Sequence, residues 1–315
     1  MTPGGFLPKS KNFELQELTD GVYAAIATDG GTAICNAGII DLGGTVLVFD
    51  AFMSPVPALE LRRIAVHLTE KEPDYLVYSH YHHDHIRGAQ AFKDSVVVGT
   101  EKTKNLVSTK GKEWADYDRE TAASRLAEVQ KASEDDIDRS LDIGYFSGRI
   151  ESLKDLHLVL PSITFESGIR FHGTKRVAEV VGLSGHSESD AVLVLPDDGV
   201  GFLGDLLFVR THPFLPDGDP DLFVRSLDQI EAMGLKTCIP GHGARGRPED
   251  VQKMREYIRR VQDIAAEVIA SGGGPAEARS RRVPDSYEDW KWRRFFPDNV
   301  EFCVEQRLAH KAPNS

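Results

Sequence analysis

Residues 80–85 read His80-Tyr81-His82-His83-Asp84-His85. Imidazole nitrogen and carboxylate oxygen are donors that suit zinc, and a catalytic zinc keeps one position free for water. His80 and His82 lie two residues apart, so an extended or turning backbone can aim both at one ion. Asp84 and His85 are adjacent and can grip a second ion. His83 falls between the two pairs and is expected to point away. An apolar run, Tyr75-Leu76-Val77-Tyr78, precedes the cluster and reads as a buried strand. Such a strand would set these donors at the mouth of a sheet.

Three further donors recur in one kind of context. His186 follows Gly185, between the strand-like runs Val177–Val181 and Ala191–Leu195. Asp205 follows Gly204, just past Gly201-Phe202-Leu203. His242 sits in Ile239-Pro240-Gly241-His242-Gly243. Each is in a glycine-containing turn at the end of an apolar run, where small residues permit tight turns and close approach to a bound group.

This order of motifs resembles the metallo-β-lactamase superfamily of metal-dependent hydrolases. The resemblance runs from about Phe13 to His242. It implies that His80, His82 and His186 bind one ion, that Asp84, His85 and His242 bind the other, and that Asp205 bridges them. It also implies an α/β fold of four layers, αββα, with the metals at one edge of the sandwich. An aspartate at position 205 is similar to the glyoxalase II-like and lactonase-like ligand sets, not to that of true β-lactamases. Lactonases usually carry a tyrosine where this chain has Phe208.

The implied activity is dinuclear, metal-dependent hydrolysis of a small-molecule ester, thioester, lactone or related amide by a metal-bridging hydroxide. Two ions about 3.5–4 Å apart can lower the pKa of a shared water from 15.7 to about 7. Asp84 is the candidate catalytic residue, orienting the nucleophile and carrying a proton to the leaving group. Arg210 and His212 are candidates to face the substrate. Asp190, with Ser184 and Ser187, is a candidate to hold the His186 ring in its tautomer. Zinc is the default for both divalent ions, and iron or manganese suits the same donors. The alternatives are a phosphodiesterase or nuclease, and an iron-dependent oxygen-using or non-catalytic metal protein.

The elements that must position these residues are legible from periodicity. Phe13–Leu18, Val22–Ala27, Ile34–Ile40 and Val46–Phe49 read as strands, and Pro57–Lys71 has apolar residues at helical spacing. A short helix is expected over Ile86–Phe92. Residues 101–157 are charged and helix-favouring, with a helix start at Ser133-Glu134-Asp135-Asp136, and read as a helical insertion able to act as a lid. Pro248 opens a long amphipathic helix to about Ala270. Residues 272–315 form a helical extension whose aromatic residues pack the tail onto the body or form a homodimer contact. The whole of 1–315 reads as a single domain.

Net charge is −12, which repels phosphate backbones and disfavours a nucleic-acid partner. The expected partner is a small-molecule substrate. Cys35, Cys238 and Cys303 are widely spaced and odd in number, so no disulfide frame is expected. Met1–Asn12 has no apolar leader, and no run approaches the ~18 apolar residues of a membrane span. The reading is a cytoplasmic enzyme.

Overall fold

In the computed structural model, which describes residues 7–311, the apolar runs are strands buried on both faces. Side chains alternate across a strand, so Val46-Leu47-Val48-Phe49 must satisfy two apolar environments. Val46 and Val48 pack with Ile39, Leu76 and the helical residues Leu61, Ile64 and Ala65. Leu47 and Phe49 point the other way, onto Leu193, Leu195, Phe202 and Ile239 of a second sheet. In that sheet Leu193 enters the inter-sheet core, while Val192 and Val194 meet helices outside it. The layers are therefore helix, sheet, sheet, helix, as the sequence led us to expect.

The first sheet holds β1 (Phe13–Thr19), β2 (Val22–Ala27), β3 (Ala37–Asp41), β4 (Val46–Phe49), β5 (Tyr75–Val77), β6 (Val96–Thr100) and β7 (Ile163–Phe165), in that spatial order. Its first four strands are antiparallel, and the pairs from β4 to β7 are parallel. The second sheet holds β8 (Gly168–His172), β9 (Val177–Gly182), β10 (Ala191–Leu195), β11 (Val200–Phe202) and β12 (Thr237–Ile239), ordered β12-β11-β10-β9-β8. Only β11 and β12 pair in parallel there. The helices are α1 (Pro55–Thr69), α2 (His83–Ile86), α3 (Glu101–Gln130), α4 (Arg139–Ser152), α5 (Pro220–Ala232), α6 (Pro248–Ala270), α7 (Pro275–Ala278) and α8 (Phe295–Lys311). None among the described residues is long and apolar enough to cross a membrane.

Three local expectations are corrected. The strand expected from Ile34 begins at Ala37, because Ile34 is in the left-handed region (φ 74) and Asn36 spends its side chain elsewhere. The Asn36 carboxamide accepts from the Ala27 amide at 2.9 Å and donates to the Pro240 and Gly243 carbonyls, each at 2.9 Å. The helix expected at Ile86 begins at His83, with Asp84 in its first turn, where the helix dipole favours an acid. A separate 3-10 turn covers Ala89–Phe92. The helix start expected at Ser133 lies in a turn, and α4 begins at Arg139. Asp138 precedes it without capping it. Its carboxylate is claimed by the buried amides of Trp292 (2.6 Å) and Arg293 (3.0 Å).

Helices α3 and α4 insert between β6 and β7. Thr100 caps α3, accepting from the Thr103 amide at 2.9 Å. A buried polar cluster ties the pair to the body: Asp118 of α3 accepts from Arg149 of α4 and from Arg87 (2.5 Å), and Arg87 also reaches Ser152 (3.3 Å). At the other end, α6 opens on Pro248 as expected, and Tyr257, Tyr287, Trp290 and Phe296 are buried inside the chain. The leader reading of Met1–Asn12 falls in part on residues 1–6, and the end of the 272–315 extension on 312–315, outside the described residues.

Candidate metal centre

Strands β5, β11 and β12 each end in a donor-bearing turn on one edge of the sandwich. His80 follows β5 after Tyr78 and Ser79, His82 is the extended residue before α2, and Asp84 and His85 lie within it. His186 lies in the β9–β10 loop. Asp205 sits in a 3-10 turn right after β11, entered through Gly204 at φ 51. His242 follows β12 by the two residues Pro240 and Gly241.

All seven side chains converge, and Asp205 stands between two groups. Its Oδ1 lies 3.1 Å from His85 Nε2 and 3.3 Å from His242 Nε2. Its Oδ2 lies 3.2 Å from His186 Nε2 and 3.9 Å from His80 Nε2. His82 Nδ1 joins the second group, 2.9 Å from His186 Nε2. Asp84 Oδ2 joins the first, 3.4 Å from His242 Nε2 and 3.8 Å from His85 Nε2. The donors of His80, His82, His186 and Asp205, and separately those of Asp84, His85 and His242, are close enough to hold a metal ion.

The donor chemistry fits cations. His80 Nε2, His85 Nε2 and Asp205 Oδ1 are buried without a hydrogen-bond partner, a costly state that a bound ion relieves. Burial, reinforced by neighbouring imidazoles, holds His80 and His82 well below the usual histidine range, so both offer neutral nitrogen. Burial also takes His186 down to about 4. For Asp84 and Asp205 burial works against ionisation, but the imidazoles of His85 and His242 outweigh it and hold both carboxyls well below their usual range. Burial likewise opposes a proton on His242, yet Asp205 and Asp84 lift it to about 9. The pocket thus concentrates anionic oxygen that attracts positive charge.

The outer nitrogens of four imidazoles are held by groups that fix the rings. Ser79 Oγ lies 2.9 Å from His80 Nδ1, Asp50 Oδ2 lies 2.8 Å from His85 Nδ1, Asp217 Oδ2 lies 2.8 Å from His82 Nε2, and the Ile34 carbonyl lies 3.1 Å from His242 Nδ1. Such partners orient the donor nitrogen and raise its basicity. Asp50 was visible in principle, since it ends the β4 run just as the metal-facing residues end theirs. It also accepts from the Ser79 amide at 2.7 Å, locking the turn that carries His80. Asp217 had no sequence signal. It accepts from Tyr81 Oη and lies 3.2 Å from Lys110 Nζ of α3, and burial lifts its pKa to about 6. Asn36 had none either; it pins the His242 turn from both sides.

Four expected site residues act otherwise. Asp190 holds the His186 backbone, accepting from the His186 amide at 2.9 Å and from Ser187, and the ring Nδ1 of His186 has no partner. Ser184 bonds Glu188 and Ser226 and does not reach that ring. Arg210 pairs with Asp289 on an exposed surface. His212 is buried away from the donors, with Nδ1 2.9 Å from Tyr257 Oη and Nε2 3.2 Å from the Tyr287 carbonyl. His83 stays out of both donor groups, as expected, but it lines the cavity beside Tyr145 (3.2 Å).

His212 has a measurable consequence for stability. Burial lowers its pKa from 6.5 to about 4. The unfolded chain therefore binds the proton first as pH drops. The neutral ring contributes about 3 kcal/mol above pH 6.5, lost as pH falls from 6.5 towards 4, at ~1.4 kcal/mol per pH unit. Between pH 7 and pH 4 the stability advantage of wild type over His212→Gln is expected to shrink by about that amount, read from urea unfolding. An advantage that stays constant would show that the ring titrates normally.

A cavity of ≈ 250 Å³ opens over the donors. His82, Asp84, His186, Asp205 and His242 form its floor, and Trp114, Tyr117, Tyr145, Phe208, Trp292 and Phe295 form its walls. Apart from Phe208, which follows the Asp205 turn, the walls come from α3, α4 and the residues around the start of α8, so the insertion and the extension together flank the site.

A sequence profile of the metallo-beta-lactamase superfamily matches residues 30–242, which includes all seven donors. The chain belongs to the metallo-beta-lactamase superfamily. Members of this superfamily are mostly metal-dependent hydrolases. Solved structures share the fold at low identity. A metallo-beta-lactamase from Pontibacter korlensis is 17% identical, with a TM-score of 0.57 over 78% of this chain and 99% of its own. The protein VMB-1 is 15% identical, with a TM-score of 0.58 over 80% of this chain and 99% of its own. The stereoselective inverting sec-alkylsulfatase Pisa1 from Pseudomonas sp. is 16% identical, with a TM-score of 0.67 over 96% of this chain, which spans 51% of the sulfatase. No curated protein matches this superfamily member.

Proposed function

We propose that the chain is a hydrolase that binds two divalent metal ions, zinc by default, and cleaves a small-molecule ester, thioester, lactone or related amide. One observation carries this reading: the two oxygens of Asp205 face two separate sets of donors, His80 and His186 on one side and His85 and His242 on the other. When bound, such ions polarise the scissile group and acidify water. His80, His82 and His186 would hold one ion, Asp84, His85 and His242 the other, with Asp205 between them. Asp50, Ser79 and Asp217 keep the rings aimed, so little reorganisation accompanies the reaction. Asp84 faces the cavity and accepts the proton of the attacking water, then passes it to the leaving group. The aromatic walls give the cleft a mostly apolar lining.

The structural likeness to an alkylsulfatase adds a sulfate ester to the substrates to be tried. Chelation followed by dialysis is expected to abolish turnover of a panel of chromogenic esters, thioesters, lactones, β-lactams, phosphodiesters and sulfate esters. Zinc or manganese is expected to restore it at two ions per chain, and the loaded protein is expected to melt higher because ions bind only the folded state. Full activity in protein shown by elemental analysis to be metal-free would sink the proposal.

A further inference from the structure

In the wall of the cavity, two buried arginines share one carboxylate among the described residues. Arg87, Asp118 and Arg149 are all buried, at 1%, 2% and 7% exposure. Asp118 is the single carboxylate paired with either arginine among the described residues. Two guanidinium groups against one carboxylate leave one unit of positive charge. Around the pair, Ser152 is neutral, the rings of Tyr117, Tyr145 and Phe146 offer only their faces to Arg149, at 5.4–5.6 Å, and the other carboxylates lining the cavity, Asp84 and Asp205, belong to the metal-facing donors. Arg149 Nε has no hydrogen-bond partner, as do Arg87 Nε and Nη2. Two buried cations sharing one anion make a place that a further anion would complete.

Of the two arginines, Arg149 is the one that lines the cavity. It stands on α4, away from the Asp205 turn, and the aromatic rings of Trp114, Tyr145 and Trp292 line the same cavity. A planar guanidinium matches a carboxylate, and one unit of excess charge matches a monoanion.

We propose that Arg149 anchors a carboxylate of the substrate, and that the substrate is a carboxylic acid with an aromatic or bulky apolar body lying across the cavity to the metal-facing donors. The assignment rests on the hydrolase reading for which bond is cut, but not for what binds. Apolar walls supply affinity, and the single cation fixes which end of the molecule faces the ions. The charge of −12 over the whole chain repels anions in solution, which makes a buried, locally positive wall necessary to hold one.

Calorimetric titration of the zinc-loaded full-length chain with phenylacetate and with its neutral amide tests this without requiring turnover. Wild type is expected to bind the carboxylate about tenfold more tightly than the amide, the size of one charge-assisted hydrogen bond. Arg149→Met leaves the neutral Arg87–Asp118 pair and is expected to bring the two ligands level. Arg149→Gln, which still donates to Asp118, is a second neutral variant in case the first does not fold by circular dichroism. A carboxylate preference that survives in the folded neutral variant would mean that the anion sits on the ions, and it overturns the assignment. So does a wild-type protein with no preference. Failure of the hydrolase reading shows separately, as no turnover of any panel member.

Discussion

Asp84→Asn is expected to lower kcat by 10²- to 10⁴-fold, the range for loss of a positioned proton carrier. Asparagine keeps the shape and one oxygen toward His242, 3.4 Å away in the native chain, but it cannot take up a proton. The fold should be kept, because Asp84 lies in a helix of four residues at the cavity and outside the four hydrophobic clusters. Steady-state kinetics on the best panel substrate, with metal content measured on the same sample, gives the answer. A variant with native kcat and two ions would remove Asp84 from the reaction.

Gly241→Ala is expected to cost at least about a hundredfold in turnover, as small misplacements of reacting groups do. A methyl group at this position would overlap Asp205 Oδ1 and press on the Gly204 backbone. Both cannot stay, because the Gly241 amide is tied to the Gly204 carbonyl at 2.7 Å and to the Leu207 carbonyl at 3.1 Å. The carboxylate is the softer of the two, so it turns away and uncouples the two donor groups. Elemental analysis should find fewer than two ions per chain, with a stability loss of about 1–3 kcal/mol typical of overpacking. Unchanged metal content and rate would show that Asp205 does not need its present position.

Many strands were legible because burial on both faces demands continuous apolar runs such as Val46–Phe49 and Ala191–Leu195, and the layers were implied by the family resemblance. The seven donors were legible because each ends such a run in a glycine- or histidine-rich turn. Other parts were not. Ile34–Asn36 looks like the start of a strand, but the Asn36 carboxamide finds better partners in a turn some two hundred residues away. Ser133 looks like a cap, yet the helix waits for Arg139, while Asp138 ahead of it serves the buried Trp292 amide. His212 and Arg210 follow Asp205 closely in sequence but turn away from it, His212 into the aromatic cluster around Tyr257. In each case a long-range partner outcompetes the local preference.

By itself, the sequence determined which side chains could meet a metal, from residue type and from the turns that end apolar runs, and the family resemblance implied that one edge of the sandwich carries them. Tertiary structure alone decided that Asp50, Asp217 and Asn36 hold the rings and turns in place, and that α3, α4 and the approach to α8 wall a cleft in which Arg87 and Arg149 share Asp118. Those relations join residues far apart in the chain. They arise only when packing closes the loops between them, and no local pattern encodes that closure.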